Sequence, residues 1–414
     1  LSRRPFAKLR KRCELCVKLL LLPLHFPSIW MTKTLTARRL LTDIGSVEYP
    51  VLTLTDDGII AEIASDPEAL AHEKDTLTAA FLDIHTHGAV GHDVMSATPA
   101  GLSQLQAFLA TKGVAHYLPT TATTSIDATL RALESLASAI EAPTPANEAR
   151  PLGIHLEGPF LSHAKRGVHP AADLQPPSIE LFDRFHAAAR GHISLMTLAP
   201  ELPGALDLIR HAASLNVKIS LGHTNATSAE TLAAITAGAT SATHTFNAMR
   251  PLDHREPGVL GTVLDTPTLF AELIADGVHV HPALVRLWLR CKAPAHAILV
   301  TDSISATGMP PGHYTLAGLP VTTDDTRALL TADLATGKET LAGSILTMDR
   351  AVANLQTFTG CSLATATTAA SHNPATMLGL GQLTSLAPGA PAHLNRFSAK
   401  GRLLTTYLHG KPVS

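Results

Sequence analysis

The stretch "AAFLDIHTHG", residues 79–88, begins as an apolar strand and finishes on two histidines separated by one residue. Along a strand, residues i and i+2 point to the same face, so His85 and His87 would look the same way. The same grammar recurs down the chain: "VAHYLPTTATT" (114–124), "PLGIHLEGPF" (151–160), "ISLMTLAPE" (193–201), "VKISLGHT" (217–224), "SATHTFNAM" (241–249), "LFAELIADGVHV" (269–280) and "HAILVTDS" (296–303). Helical runs alternate with these strands, among them 99–112 and "DATLRALESLASAI" at 127–140. Eight such repeats predict an α/β fold of the (β/α)8 TIM-barrel type.

In such barrels the chemistry sits at the C-terminal ends of the strands. Here those ends carry His85 and His87, then Glu157, His223, His244, the Asp276/His279 pair and Asp302. Imidazoles and carboxylates converging without cysteine suit Zn²⁺, Fe²⁺ or Mn²⁺. Taken singly, each residue has an ordinary alternative. A strand-end acid can cap the next helix. With 22 histidines in the chain, most are surface or satisfied core residues, and His116, His186, His211 and His296 read that way. The shared position of the others, all at one end of one set of strands, favours a divalent-metal site.

The remaining sequence sets bounds. The 414 residues, 45% hydrophobic and 16% charged, can bury a large core. A net charge of −2 leaves no basic face for nucleic acid. Four cysteines are too few and scattered for a disulfide framework, which favours the cytoplasm. Cys13 and Cys16 form a lone CxxC without a second pair; Cys291 and Cys361 read as helical core. Residues 1–31 combine basic residues with "CVKLLLLPLHF", but Lys18 and Pro23 interrupt that run. We read them as a non-native or disordered extension, with Met31 as the start and no membrane span. Short strands at 32–79 and 384–414 flank a barrel at 80–383. By analogy they pack together as a small discontinuous β-sandwich domain. "YTLAGLPVTTDDTRALLTADL" (314–334) reads as a β-excursion before the helix "SILTMDRAVANLQTF" (344–358) closes the barrel.

Seven motifs, in consistent order between about 78 and 380, narrow the reading: "HLEGPFL", "KRGVHP", "LGHTNA", "THTFNAMRPLDHREPG", "ADGVHVHP", "LVTDSISATG" and "LAGSILTMDRAV". Together they resemble the N-acetylglucosamine-6-phosphate deacetylase family of the amidohydrolase superfamily. Two features depart from that family: Ala79-Ala80 stand where Pro-Gly is usual, and "PAHLNRFSAKGRLL" (391–404) is an unusual C-terminal segment.

The resemblance implies that Glu157, His223 and His244 hold a principal divalent metal, zinc first and Fe or Mn next. His85 and His87 then offer a second place, with Glu157 able to bridge. It makes Asp302 the catalytic acid–base and His169 the group that polarises the acetyl carbonyl. Val168, Asn247, Ala248, Arg255, His279 and the loop Leu341, Ala342 and Gly343 would contact the sugar phosphate. The implied reaction is hydrolysis of the acetamide of a phosphorylated amino sugar by a homodimer, in amino-sugar breakdown. Two other readings stand beside it: a deacetylase for the galacto epimer or another amidohydrolase, and a non-catalytic scaffold of the same descent.

Overall fold

The computed structural model describes residues 33–292 and 294–413. The expected N-terminal extension and its Cys13/Cys16 pair therefore lie outside the described residues. Eight parallel strands form the centre: β1 Phe81–Thr86, β2 Val114–Thr121, β3 Ile154–Glu157, β4 Ile193–Leu198, β5 Lys218–Leu221, β6 Ser241–Ala242, β7 Phe270–Ile274 and β8 Ala297–Val300. Each pairs in parallel with its neighbour from β1 to β8. Closure runs through one parallel bridge, Thr86 with Ser303. There the Asp302 N–H donates to the His85 carbonyl (2.9 Å) and the His87 N–H to the Ser303 carbonyl (2.8 Å). The result is a nearly closed eight-stranded α/β barrel.

The strands bury themselves for a plain reason. β1 "FLDIHT", β2 "VAHYLPTT" and β3 "IHLE" are buried at every position, as expected when helices cover the outside of a parallel sheet. Helices α1 Pro99–Thr111, α2 Ile126–Glu141, α3 Ile179–Ala188, α4 Ala205–Ser214, α5 Ser228–Ala237, α6 Gly258–Asp265, α7 Pro282–Lys292 and α8 Met348–Thr359 supply that cover. Their starts carry local signals: the Ser125 hydroxyl accepts from the Ala128 N–H at α2, and Thr227 with Glu230 forms a capping box at α5.

Several sequence boundaries move. The barrel strands are shorter than their apolar text, and β6 keeps only Ser241–Ala242. His223, His244 and Asp302 thus sit two residues beyond β5, β6 and β8 rather than on the strands. The closing helix starts at Met348, not 344, because Ser344 is taken up in pinning the β8 end: its N–H donates to the Asp302 carbonyl (2.7 Å). The excursion folds as strands His313–Leu316, Leu319–Thr323 and Ala328–Leu330. Cys361 lies past α8 rather than in it, and both Cys291 and Cys361 are half-buried, with Cys361 packed against the edge of the core.

The flanking segments form two sheets. One has three strands, Lys33–Thr36, Pro50–Leu54 and Ile60–Ser65; the other unites Arg39–Thr42, Gly45–Glu48 and Thr76–Ala79 with Leu394–Phe397, Leu403–Leu408 and Lys411–Pro412. They share an apolar cluster that includes Leu40, Leu52, Leu54, Ile60, Leu77 and Leu394. The strand Pro50–Leu54 alternates buried and half-buried residues, the period-two pattern of a one-sided sheet. The unusual C-terminal segment is thus strand-forming all the same.

Candidate active site

On β1, Asp83 and His85 take successive inward positions, and His87 follows one residue beyond the strand, so this end of the barrel is built in layers. Asp83 lies deepest and accepts from the Thr301 hydroxyl at 2.6 Å; burial, only partly offset by that bond, pushes its carboxyl up to about 6. One layer up, His85 is fully buried. His155 sits edge-on to it, ring centroids 4.6 Å apart, and bonds the Thr197 hydroxyl at 2.7 Å. Burial holds His155 neutral, with its pKa well below the usual value.

Glu157 is the hub. Its Oε1 lies 3.3 Å from His223 Nε2 and 3.2 Å from His244 Nε2; its Oε2 lies 3.2 Å from His87 Nε2 and 3.6 Å from His85 Nε2. Asp302 Oδ1 stands 3.2 Å from His87 Nε2 and 3.5 Å from His85 Nε2. The imidazoles also crowd one another: Nε2 atoms are 3.1 Å apart in the His223/His244 pair and 3.3 Å apart in the His85/His87 pair. The backbone is bent to bring this about. His223, His244 and Asp302 all have positive φ (47°, 26° and 50°), a costly region for residues with a Cβ.

The partners of the far ring nitrogens sort the histidines. His87 Nδ1 meets the Thr120 carbonyl (2.9 Å), and His223 Nδ1 meets the Lys165 carbonyl (3.0 Å). A carbonyl only accepts, so these Nδ1 atoms carry the proton and leave an Nε2 lone pair facing Glu157. His85 Nδ1 meets the Glu272 carboxylate at 3.2 Å, with the same consequence. His169 is the reverse: its Nδ1 accepts from the Thr123 N–H (3.2 Å), so its proton is on Nε2. That proton points into the site, where Nε2 lies 3.8 Å from Glu157. His169 is therefore a hydrogen-bond donor in the cavity rather than a metal ligand.

Without a cation, the carboxylates draw protons onto these imidazoles instead. Burial opposes charge on His87, but hydrogen bonds to Asp302 and Glu157 outweigh it and push its pKa up to about 9. His85 and His244 are raised by the same carboxylates against burial. Burial works against charge on Glu157 and Asp302 too, yet the field of His85 and contacts with the other imidazoles hold both well below the carboxylate range. Lone pairs and carboxylates packed this closely call for positive charge, which a divalent cation supplies. The donor atoms of His85, His87 and Asp302 lie within 4.8 Å of one another, and Glu157 Oε1 lies 3.3 Å and 3.2 Å from the Nε2 atoms of His223 and His244. The donor set fits a hard or borderline divalent metal.

A cavity of about 320 Å³ opens over this cluster. It is lined by His87, Glu157, Val168, His169, His223, His244, Asn247, Ala248, His279, Asp302, Leu341 and Gly343, all singled out from sequence. His85 and Ala342 lie beneath it, fully buried. Arg255 is exposed at the outer end of the loop after β6 and does not line the cavity. It makes no ion pair with the adjacent Glu256 among the described residues; Glu256 accepts instead from the Ser228 and Gly258 N–H groups. His116, His186, His211 and His296 stay outside, as expected.

Sequence reading missed Lys165, the only lysine or arginine among the described residues that lines the cavity, and Glu272 behind His85. Lys165 sat within a quoted motif but carried no role. Glu272 had a usable signal: an acid inside the apolar run "LFAELIA" is costly to bury without a purpose.

Barrel, strand-end histidines and strand-eight aspartate together define the class. Residues 76–413 match the amidohydrolase family, and the chain belongs to that family. It is 40% identical over 386 residues to the N-acetylgalactosamine-6-phosphate deacetylase of Escherichia coli O157:H7, covering 93% of this chain and 100% of that one. It is 36% identical to the N-acetylglucosamine-6-phosphate deacetylase of Bacillus subtilis, covering 86% and 90%. Among solved structures, it is similar to the N-acetyl-D-glucosamine-6-phosphate deacetylase of Mycobacterium smegmatis in complex with N-acetyl-D-glucosamine-6-phosphate. That match has a TM-score of 0.85 and 31% identity over 92% of this chain and 99% of that one.

Proposed function

We propose that this chain is a metal-dependent deacetylase that hydrolyses the acetamide of N-acetylglucosamine 6-phosphate to glucosamine 6-phosphate and acetate. The observation that carries it is Glu157 set between the His85/His87 and His223/His244 pairs, whose Nε2 atoms all turn inward toward it, beside Asp302. Glu157, His223 and His244 would hold one divalent cation, and His85, His87 and Asp302 a second. Zinc suits the donor set, with Fe or Mn as alternatives. When bound, such a cation supplies Lewis acidity and lowers the pKa of water to about 7.

The chain's own groups do the rest. Asp302, ionised at neutral pH, takes a proton from the attacking water and returns it to the amine as it leaves. His169, kept neutral by burial and by His223 with its pKa lowered to about 3, donates its Nε2–H to the oxygen that gains charge. Asn247 and Ala248 sit on the loop after β6, and His279 lies across the mouth. Leu341 and Gly343 close another wall. Arg255, which makes no ion pair among the described residues, extends the phosphate end outward. The partner subunit of a homodimer would then lie near that loop. A cytoplasmic setting, where phosphorylated sugars are retained, completes the reading. The two flanking sheets form a discontinuous β-sandwich domain, supported by their common apolar core.

A second reading, the galacto epimer as substrate, is favoured by the 40% identity to the N-acetylgalactosamine-6-phosphate deacetylase. Comparing kcat/KM for acetate release from the two phosphorylated epimers and the unphosphorylated sugar decides. The proposal expects the gluco phosphate to lead; a galacto preference would replace it, and equal rates on the plain sugar would refute phosphate recognition.

A further inference from the structure

We infer that Glu272 is a positioning residue for the cation site: one carboxylate oxygen fixes both the donor atom of His85 and the backbone of His244. The inference rests on the metal-dependent reading above. Glu272 stands in the middle of β7, wholly buried, between Ala271 and Leu273. It does not reach the cavity, so it touches no substrate. Burying a carboxylate is costly unless its oxygens find donors. Glu272 Oε2 finds two, His85 Nδ1 and the His244 N–H, each at 3.2 Å, while Oε1 has no partner among the described residues.

The choice of donors explains the placement. His85 Nε2 faces the carboxylates of Glu157 and Asp302, which by themselves would draw the ring proton onto Nε2 and abolish its lone pair. Glu272 competes from the other side. It holds the proton on Nδ1 and keeps Nε2 free to ligate. His87 and His223 are held by backbone carbonyls; only His85 has a carboxylate behind it, the stronger acceptor. The bond to the His244 N–H steadies a residue whose φ is +26°. One oxygen therefore ties the His85/His87 pair to the His223/His244 pair across the barrel. The Glu272 carbonyl adds a third tie, accepting from the Thr245 N–H at 2.8 Å.

The test uses metal-stripped full-length protein, titrated with Zn²⁺ against a chromophoric chelator, in wild type, Glu272→Leu and Glu272→Gln. Wild type should take two equivalents. Glu272→Leu should keep one equivalent and bind the other about 10- to 100-fold more weakly. Glu272→Gln keeps an acceptor oxygen and loses the charge, so its weaker equivalent should fall between the two; it decides the matter if the leucine variant does not fold. A purely structural role would lower the melting temperature of the metal-free protein without separating the two equivalents. Wild type that loads one equivalent or none would remove the His85 place, and the metal reading with it if none. Two equivalents of unchanged affinity in both variants would overturn this inference alone.

Discussion

Replacing Asp302 by Asn separates chemistry from architecture. The backbone of Asp302 is clamped on both sides: its N–H donates to the His85 carbonyl (2.9 Å) and its carbonyl accepts from the Ser344 N–H (2.7 Å). Its φ of +50° is a conformation asparagine tolerates better than most residues. The variant should therefore fold and hold its place. What it loses is the negative charge beside His87 and His85, at 3.2 and 3.5 Å, and the ability to take a proton. Removing a positioned general base costs about 10²- to 10⁴-fold in rate, or about 3–5 kcal/mol of transition-state stabilisation. The assay is acetate release under saturating substrate, with zinc content measured on the same sample. The cation place made by Glu157, His223 and His244 should stay filled while kcat falls by at least about 100-fold. A variant that retains kcat within a few-fold of wild type would show that Asp302 is not the acid–base.

Other outcomes follow from the same geometry. Arg255→Ala should reduce kcat/KM for the phosphorylated sugar by roughly 10- to 150-fold, the worth of one charge-assisted hydrogen bond, and leave the plain sugar nearly unaffected; an equal loss on both would assign Arg255 to the loop's structure. Asp276→Asn should raise KM more than it lowers kcat. Asp276 Oδ2 holds His279 Nδ1 at 2.6 Å, so the change loosens a wall of the cavity and leaves the hub intact; a pure kcat effect measured by steady-state kinetics would contradict this. Stability should also fall on acidification. Burial lowers His116 to about 4 and His393 to about 3 from an ordinary 6.5. The unfolded chain thus binds protons first as pH drops below 6.5, and the stabilisation present above that pH is lost on the way to 4. The shift at His116 alone corresponds to about 3 kcal/mol. His116→Gln should flatten the pH dependence of the melting temperature over that window, and an unchanged slope would refute the assignment.

How much was legible depended on how local the signal was. His85 and His87 were readable because strand periodicity alone puts them on one face. Glu157 was readable because a carboxylate closes an apolar strand. The barrel followed from alternation repeated along the chain. Strand ends were harder. At β6 the text "SATHTFNAM" looks extended, but the chain leaves the sheet after Ala242 to bring His244 and Ala248 into positive φ. Only the packing of the site imposes that bend. Glu272 and Lys165 were missed because their meaning lies in partners far away in sequence: Glu272 meets His85 187 positions earlier. Which ring nitrogen of His87, His223 and His169 carries the proton was likewise invisible, since the tautomer is set by the Thr120, Lys165 and Thr123 backbone groups. Arg255 was named by motif, yet its exposure keeps it out of the cavity.

The central claim is that this cluster holds a divalent cation and uses it, with Asp302, to cleave an acetamide from a phosphorylated amino sugar. Acetate release from N-acetylglucosamine 6-phosphate, followed on protein stripped with a chelator and then refilled with measured equivalents of Zn²⁺, tests it most directly. The account predicts negligible release from the stripped protein and recovery in proportion to zinc bound, with no recovery in Glu157→Gln. Full activity in protein shown by elemental analysis to hold no metal, or none after complete refilling, would contradict it.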